Sequence, residues 1–417
     1  MPENPAVTQS TAMAMEEIRR RISTNARRAY VSRLLMKLIL HARRTDDGLA
    51  LIPIGSHMTP TVTEAVPGSF LLAASSGSAQ LLRTYARGEW STVDLYTLLS
   101  SLWRIEQILR KARLAAWPID RSKLAFRRLS KGGIRAGSAQ DYSDVSMHYD
   151  LARELFEAFL GSGLAYSAAE LRHEPERHDA AYEAFYNEIL RNLLGVQSPM
   201  TIVDLGCGWG AFSRHVLDYS GHSVYAITIS GSQAEYLQQA LAQYIPKRLN
   251  IVHGNFMEVS SLPDHADAIV MIETIEHVDR MSRQDLFKRL SEKYPSAKLL
   301  LQFTAAPDWA DAQKSGRATA ANSVIFPGPA ELPTVRQIMT QAKRAGYQVV
   351  RSEDLTAEYS AVTLAWRSRF LRRYEELAEY LPKELLLAWD FYLTGLTTGL
   401  GQRAVLNYQL ILVKRGE

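Results

Sequence analysis

The chain has 417 residues, 47% of them hydrophobic and 22% charged, with a formal net charge of +4. That is an ordinary globular composition, long enough for two or three domains with a large core. A single cysteine, Cys207, rules out an intrachain disulfide and points to a reducing, cytoplasmic setting. No apolar run approaches the about 18–20 residues of a membrane span, and the polar start has no signal-peptide core.

The charge is uneven. Residues 1–140 carry 21 Lys and Arg against 10 Asp and Glu, a net of +11, and the remainder carries 27 against 34, a net of −7. A basic first third suits an anionic surface such as lipid headgroups, nucleic acid or an acidic carrier protein. A solvated helix face beside an acidic catalytic domain explains it equally well.

In chain order, residues 1–15 are expected to be a disordered tail. Residues 16–140 are expected to form a helical N-terminal domain ending in a basic linker. Within it, "MEEIRRRISTNARRAYVSRLLMKLILHARR" (15–44) has helical periodicity with arginine clusters. It fits an amphipathic, surface-seeking helix, or a core-packing helix with an exposed basic side. "LLRTYARGEWSTVDLYTLLSSLWRIEQIL" (81–109) suggests short turns followed by a helix. "RSKLAFRRLSKGGIRAGSAQD" (121–141) has a linker's composition, and a new domain is expected over 141–417.

From residue 200 the rhythm alternates. "MTIVDLG", "HSVYAITIS", "LNIVHGNF", "ADAIVMIET" and "AKLLLQFTA" have the pattern of strands. "WGAFSRHVLDYSG", "SQAEYLQQALAQY" and "RQDLFKRLSEKY" have the pattern of helices. This order predicts an α/β fold with a doubly wound, Rossmann-like parallel sheet.

The first strand runs into "VDLGCGWGAF" (203–212), with glycines at Gly206, Gly208 and Gly210. Glycines here let the backbone turn tightly and let a ligand approach. The spacing is not the dinucleotide fingerprint, and Asp204 precedes it. A carboxylate at this strand end suits a cationic ammonium without a phosphate, so S-adenosylmethionine (AdoMet) is the candidate ligand. Thr228, Ile229 and Gln233, at the end of the second strand, would lie along its methionine and ribose. Asn255 and Phe256, at the end of the third, would lie against its adenine.

Several segments, in order, resemble the cyclopropane fatty acid synthase family, which includes the mycolic acid cyclopropane synthases. They are "MHYDLARELFEAFLGSGLAYSAAEL" (147–171), "VDLGCGWGAFSRHV", "ITISGSQ", "IETIEHVD" (272–279), "VIFPGPAELPTVRQI" (324–338) and "AEYSAVTLAWRSRFLRRYEE" (357–376). Upstream, "LLRTYARGEWSTVDLYTLLSSL" resembles the Y-x-x-G-x-W-x-x-x-D-L stretch of full-length bacterial synthases. The resemblance implies an AdoMet-dependent methyltransferase with a lid insertion over about 304–400. It implies AdoMet contacts at Tyr166, Ser167, Asp204, Gly206, Gly208, Gly210, Thr228, Ile229, Gln233, Asn255 and Phe256.

It also implies methyl or methylene transfer to a carbon centre of an unsaturated lipid, with a base that removes a proton. In the family's cyclopropane synthases a bicarbonate held by Cys, Glu, His and Tyr is thought to serve. Here the glutamate matches Glu276 and the tyrosine Tyr359, but the cysteine position is Ala168 and the histidine position Gln302. Gln302 and Tyr359 remain as hydrogen-bond donors for such an anion. Glu273 stands where cyclopropane synthases have glycine, and the resulting I-E-x-x-E-H pattern resembles the family's plant alkaloid N-methyltransferase branch. The expected catalytic set is therefore Glu276 and Tyr359, supported by Glu273 and His277. Two carboxyls and an imidazole beside a sulfonium could stabilise positive charge or accept a proton.

The implied acceptor is an unsaturated phospholipid, with a small-molecule N- or C-acceptor as the alternative. Peripheral contact with an anionic membrane at the inner face is compatible with the basic first third. No nucleic-acid partner and no metal is implied, and a homodimer is allowed. The aromatic residues Tyr149, Tyr166, Tyr359, Trp366, Phe391 and Tyr392 are candidates for shielding a cation or for plain core packing.

Overall fold

The computed structural model describes residues 43–45, 48–50, 61–66, 70, 73, 78–103, 153–169, 178–194, 199–258, 262–308 and 332–415. The expected tail, nearly all of the 15–44 helix, the basic linker and residues 309–331 of the expected lid lie outside them. The chain divides into two compact units, one of residues 1–135 with 380–402 and one of residues 136–379 with 403–417.

The first unit is not only helical. Strands β1 (Arg43–Thr45), β2 (Gly48–Ala50), β3 (Thr61–Glu64) and β4 (Trp90–Thr92) form an antiparallel sheet in that order. Strands of three or four residues are too short to show an alternating pattern, so sequence periodicity missed them. Helix α1 (Ser78–Ala86) precedes β4, and α2 (95–103) follows it. The structure explains the Y-x-x-G-x-W-x-x-x-D stretch locally. Gly88, at φ 69, turns the chain out of α1. Trp90 then packs on Tyr85 at 4.9 Å and donates its indole N–H to Thr84 Oγ1 at 2.8 Å. Asp94 caps α2 by accepting the Thr97 N–H at 2.9 Å.

The second unit begins with α3 (Arg153–Leu160) and α4 (His178–Leu194). The alternation then runs β5 (Thr201–Leu205), α5 (Ala211–Tyr219), β6 (Ser223–Thr228), α6 (Gly231–Ala240), β7 (Leu249–His253) and β8 (Ala268–Ile272). After it come α7 (Arg280–Lys293), β9 (Lys298–Ala305), α8 (Val335–Arg344), β10 (Tyr347–Asp354), α9 (Thr356–Arg372) and α10 (Tyr374–Ala378). Side-chain caps mark the helix starts: Ser230 for α6, Asp279 for α7, and a Thr334–Gln337 capping box for α8.

Helix α11 (Lys383–Gly401) belongs to the first unit, although the sequence assigned it to the methyltransferase domain. The reason is its apolar surface: Trp389, Phe391 and Leu393 are buried, and Phe391 packs on Tyr85 and Trp90. The aromatic candidates Phe391 and Tyr392 are therefore part of that core.

β11 (Leu406–Lys414) returns to the second unit and completes a seven-stranded sheet of order β10-β11-β9-β8-β5-β6-β7. Only β11 runs antiparallel to the others. The expected doubly wound sheet is present, with β10 and β11 added at one edge. Strand order reverses between β5 and β8. In such sheets the crevice at the carboxyl ends of those two strands is where ligands bind.

Candidate active site

The crevice is built from the turn after β5. Gly206, Gly208 and Gly210 all take positive φ, at 80, 56 and 78°, which residues with a β-carbon rarely adopt. Backbone hydrogen bonds from Gly206 and Cys207 to the Ile227 carbonyl, at 2.9 and 3.0 Å, tie the turn to the end of β6. A β-carbon on Gly206 would stand 2.5 Å from Thr274, and one on Gly210 would stand 2.2 Å from Leu237. One on Gly208 would meet nothing within 4 Å, so among the described residues no side chain fills that side of the turn.

Beside it, Thr228 Oγ1 donates to Gln233 Oε1 at 2.7 Å, joining the end of β6 to the first turn of α6. Ile229 is half-buried, and its carbonyl lies 3.2 Å from His253 Nε2. Asn255 folds the backbone after β7 by accepting the Met257 N–H at 2.9 Å, and Phe256 is buried next to it. Thr228 ends β6 and Ile229 follows it, on the strand whose Ile227 carbonyl the turn's amides reach, and Asn255 and Phe256 follow the neighbouring β7.

Asp204 differs. The sequence placed its carboxylate toward a ligand, but it is 2% exposed and accepts the Ser213 hydroxyl at 2.7 Å. It holds α5 against β5. Burial raises its pKa to about 6, against which the Ser213 hydrogen bond acts.

An aromatic chain leads away from the turn. Trp209 contacts Phe156 at 5.7 Å, and Phe156 contacts Tyr166 at 6.2 Å. Tyr166 contacts Trp366 at 5.2 Å, and Trp366 contacts Tyr359 at 5.7 Å. The N–H groups of Trp209 and Trp366 are both buried and without an acceptor. Ser167, next to Tyr166, is fixed from below by α4, where Tyr182 donates to its carbonyl at 2.5 Å. Tyr359 is buried on α9, so the ring at the far end of this chain is held in place.

The acid pair brackets the contact with the turn, Glu273 one residue before Thr274 and Glu276 two after it. β8 ends at Ile272, and Glu273 then adopts φ 48, an unusual conformation for a residue with a β-carbon. Thr274 packs against Gly206, and the 3₁₀ turn Ile275–His277 brings Glu276 back beside Glu273. The two carboxyls lie close enough for the charge of Glu273 to act on Glu276. Glu273 also receives Asn407 Nδ2 at 2.6 Å, Thr304 Oγ1 at 2.8 Å and Gln302 Nε2 at 3.3 Å.

Glu276 is buried and accepts the Thr304 backbone N–H at 3.1 Å, while its Oε2 meets no donor among the described residues. Burial raises both carboxyls, and the Glu273 charge pushes Glu276 well above the usual range. Of the two, Glu276 is the more strongly driven toward its protonated form, while the three side-chain donors favour the charged form of Glu273. Burial lowers the adjacent His277 imidazole to about 4, so it is neutral.

Gln302 stands where the family has a histidine, and the sequence left it as a donor for a bound anion. Its amide instead donates to Glu273 and accepts from Gln409 at 3.4 Å. Thr304 and Asn407 escaped the sequence analysis altogether. Their signal was polar residues at every second position inside buried strands, in "LLLQFTA" and "LNYQLIL".

The mycolic acid cyclopropane synthetase family model matches residues 137–410. The chain belongs to that family. It is an AdoMet-dependent methyltransferase. It is similar to the cyclopropane mycolic acid synthase MmaA2 of Mycobacterium tuberculosis, with 26% identity over 269 residues, 61% of this chain and 91% of the relative. The solved structure of MmaA2 superposes with a TM-score of 0.60 at 25% identity, covering 66% of this chain and 98% of that one. The tuberculostearic acid methyltransferase UfaA1 of the same species is 25% identical over 344 residues, 80% of this chain and 78% of the relative. Coclaurine N-methyltransferase, solved with N-methylheliamine and SAH, shares the fold with a TM-score of 0.62 at 18% identity, covering 80% and 99% of the two chains.

The family's co-substrate fits the residues present. The turn is clear at Gly208, Gly206 and Gly210 pack too closely for side chains, and the acid pair adjoins the same turn through Thr274. Among the described residues, no helix is long and apolar enough to cross a membrane.

Proposed function

We propose that this enzyme transfers a methyl or methylene group from AdoMet to a carbon centre of an unsaturated lipid or lipid-like acceptor, and that Glu273 is its proton acceptor. The observation that carries this reading is the buried Glu273–Glu276 pair, with Glu273 held by Asn407, Thr304 and Gln302, set against the glycine turn through Thr274. The names of MmaA2 and UfaA1 support the lipid class.

The turn after β5, with Thr228, Gln233, Asn255 and Phe256, would hold AdoMet, with Tyr166 and Ser167 lining the same crevice. Bound AdoMet supplies an electrophilic methyl group. As positive charge develops on the acceptor, the Glu273 carboxylate stabilises it without reorganising, because Asn407, Thr304 and Gln302 already fix its oxygens. Glu273 then takes the proton that the methylated carbon skeleton loses. Glu276, which burial and the Glu273 charge drive toward its protonated form, takes no part in this transfer. The aromatic chain from Trp209 to Tyr359 excludes water from the developing cation and presents ring faces to it.

A small-molecule amine is the second reading, favoured by the neutral His277 beside the pair, which could take a proton from a methylated nitrogen. Mass spectrometry separates the two. The enzyme is incubated with AdoMet and either monounsaturated phospholipid vesicles or secondary and tertiary amines. A gain of one CH₂ on the acyl chain supports the first reading, and a gain only on the amines replaces it with the second.

A further inference from the structure

We infer that Asn407 is a positioning residue for methyl transfer: its side-chain amide clamps the Glu273 carboxylate while its backbone anchors the first turn of α9, the helix that carries Tyr359. The inference rests on the methyl-transfer reading above.

Asn407 is fully buried in β11, directly opposite Thr304 in the antiparallel pairing with β9. Both side chains reach Glu273 and take one carboxylate oxygen each: Asn407 Nδ2 lies 2.6 Å from Oε1, and Thr304 Oγ1 lies 2.8 Å from Oε2. The backbone of Asn407 works in the other direction. Its N–H donates to Thr356 Oγ1 at 3.1 Å, and its carbonyl accepts the Leu355 N–H at 2.9 Å and the Thr356 hydroxyl at 3.4 Å. Leu355 and Thr356 begin α9, and Tyr359 follows within its first turn. One residue thus fixes the two groups proposed to act on the acceptor relative to each other.

The cost of placing Asn407 here is visible. Its Oδ1 is buried and receives no donor among the described residues, a penalty that an aliphatic residue in a core strand would avoid. A strand-packing role gives no reason for an amide. A carboxylate that must stay ionised in a buried site does, because an N–H to an anion is among the stronger hydrogen bonds. The other groups facing Glu273 are Glu276, whose carboxyl its charge raises, Gln302, Thr304, and Tyr182 on α4, whose phenol feels the Glu273 charge. Glu276 titrates together with Glu273, and it is the same in the parent and in both variants below, so the effect of Asn407 can be isolated.

The test uses the full-length protein labelled with ¹³Cδ-glutamate and titrated by NMR, with Glu273→Gln identifying the resonance. Two variants are compared, Asn407→Leu, which keeps nearly the same shape and removes the donor, and Asn407→Ser, which shortens the side chain. Both keep the backbone bonds to α9. The expected result is a Glu273 midpoint about one pH unit higher, a tenfold change in its ionisation constant. The acidic limb of kcat is expected to move with it, while Tm and AdoMet affinity stay near the parent's. An unmoved midpoint in a variant that remains folded overturns the clamp, and a moved midpoint with an unmoved limb overturns its part in catalysis. A parent enzyme that methylates no acceptor defeats the methyl-transfer reading, and the titration still decides the clamp.

Discussion

The side chain of Thr274 occupies the space that a β-carbon on Gly206 would need, 2.5 Å away. This contact couples the cofactor turn to the acid pair, because Thr274 stands between Glu273 and Glu276 in the chain and is itself buried. Substituting Gly206→Ala therefore does two things. It forces a side chain into a left-handed conformation at φ 80, costing about 1–2 kcal/mol, and it pushes Thr274 away. The expected outcome is a Tm lower by about 4 °C or more, with AdoMet affinity and kcat both reduced.

Gly208→Ala makes the contrast. Its φ of 56 carries a similar backbone cost, but the added carbon meets no protein atom within 4 Å. Thermal stability should change less than for Gly206→Ala, while AdoMet affinity, measured by calorimetry, should fall at least as much. Equal affinity in Gly208→Ala and the parent would mean that the co-substrate does not use the space beside the turn.

The sequence announced this turn clearly, because each glycine marks a backbone demand that other residues meet poorly. The parallel core of the sheet was equally legible in apolar runs such as "AIVMI". What stayed hidden was set by pairing across the sheet. Nothing near Asn407 in the chain reveals that it lies opposite Thr304, 103 positions away, so the clamp on Glu273 had no local signature. Asp204 was misjudged for a related reason: strand position gave its place but not the Ser213 hydroxyl that covers it. The three- and four-residue strands of the first unit were too short for any periodicity.

Glu273→Gln keeps the shape of the side chain and removes the anion. With no carboxylate left to accept the proton, kcat should fall about 10²- to 10⁴-fold, the usual range for a general base. Glu276 should then titrate closer to the ordinary carboxyl range, since the neighbouring charge that raises it is gone. Stopped-assay mass spectrometry gives the rate, and calorimetry checks that AdoMet still binds. Activity within a few-fold of the parent would remove Glu273 from the mechanism.

Tyr359→Phe isolates the phenol from the ring. The edge-on contact with Trp366 at 5.7 Å and the burial of the side chain are retained, so Tm should hold. A drop in kcat of about tenfold, with acceptor KM little changed, is expected if the hydroxyl acts on the reacting centre. A rise in KM alone would assign Tyr359 to acceptor binding.

The pH dependence of stability carries two opposed contributions. Burial raises Asp204 to about 6, above its unfolded value, so the folded state holds its proton where the unfolded state has lost it. Its stabilisation is complete below about pH 4 and disappears as pH rises through 6. His277, lowered to about 4, does the reverse: the unfolded state binds the extra proton between about 4 and 6.5, so stability grows with pH there. In the parent these two slopes oppose each other over pH 4–6, and Glu273 and Glu276, also raised by burial, add to the falling side. Asp204→Asn removes the falling component while its amide oxygen can still accept the Ser213 hydroxyl. The variant should gain roughly 3 kcal/mol over the parent at pH 7 relative to pH 4, from a shift of about two units at about 1.4 kcal/mol each. Denaturant unfolding of both proteins across pH 4–8 measures this difference, and parallel curves would show that Asp204 keeps its charge in the folded state.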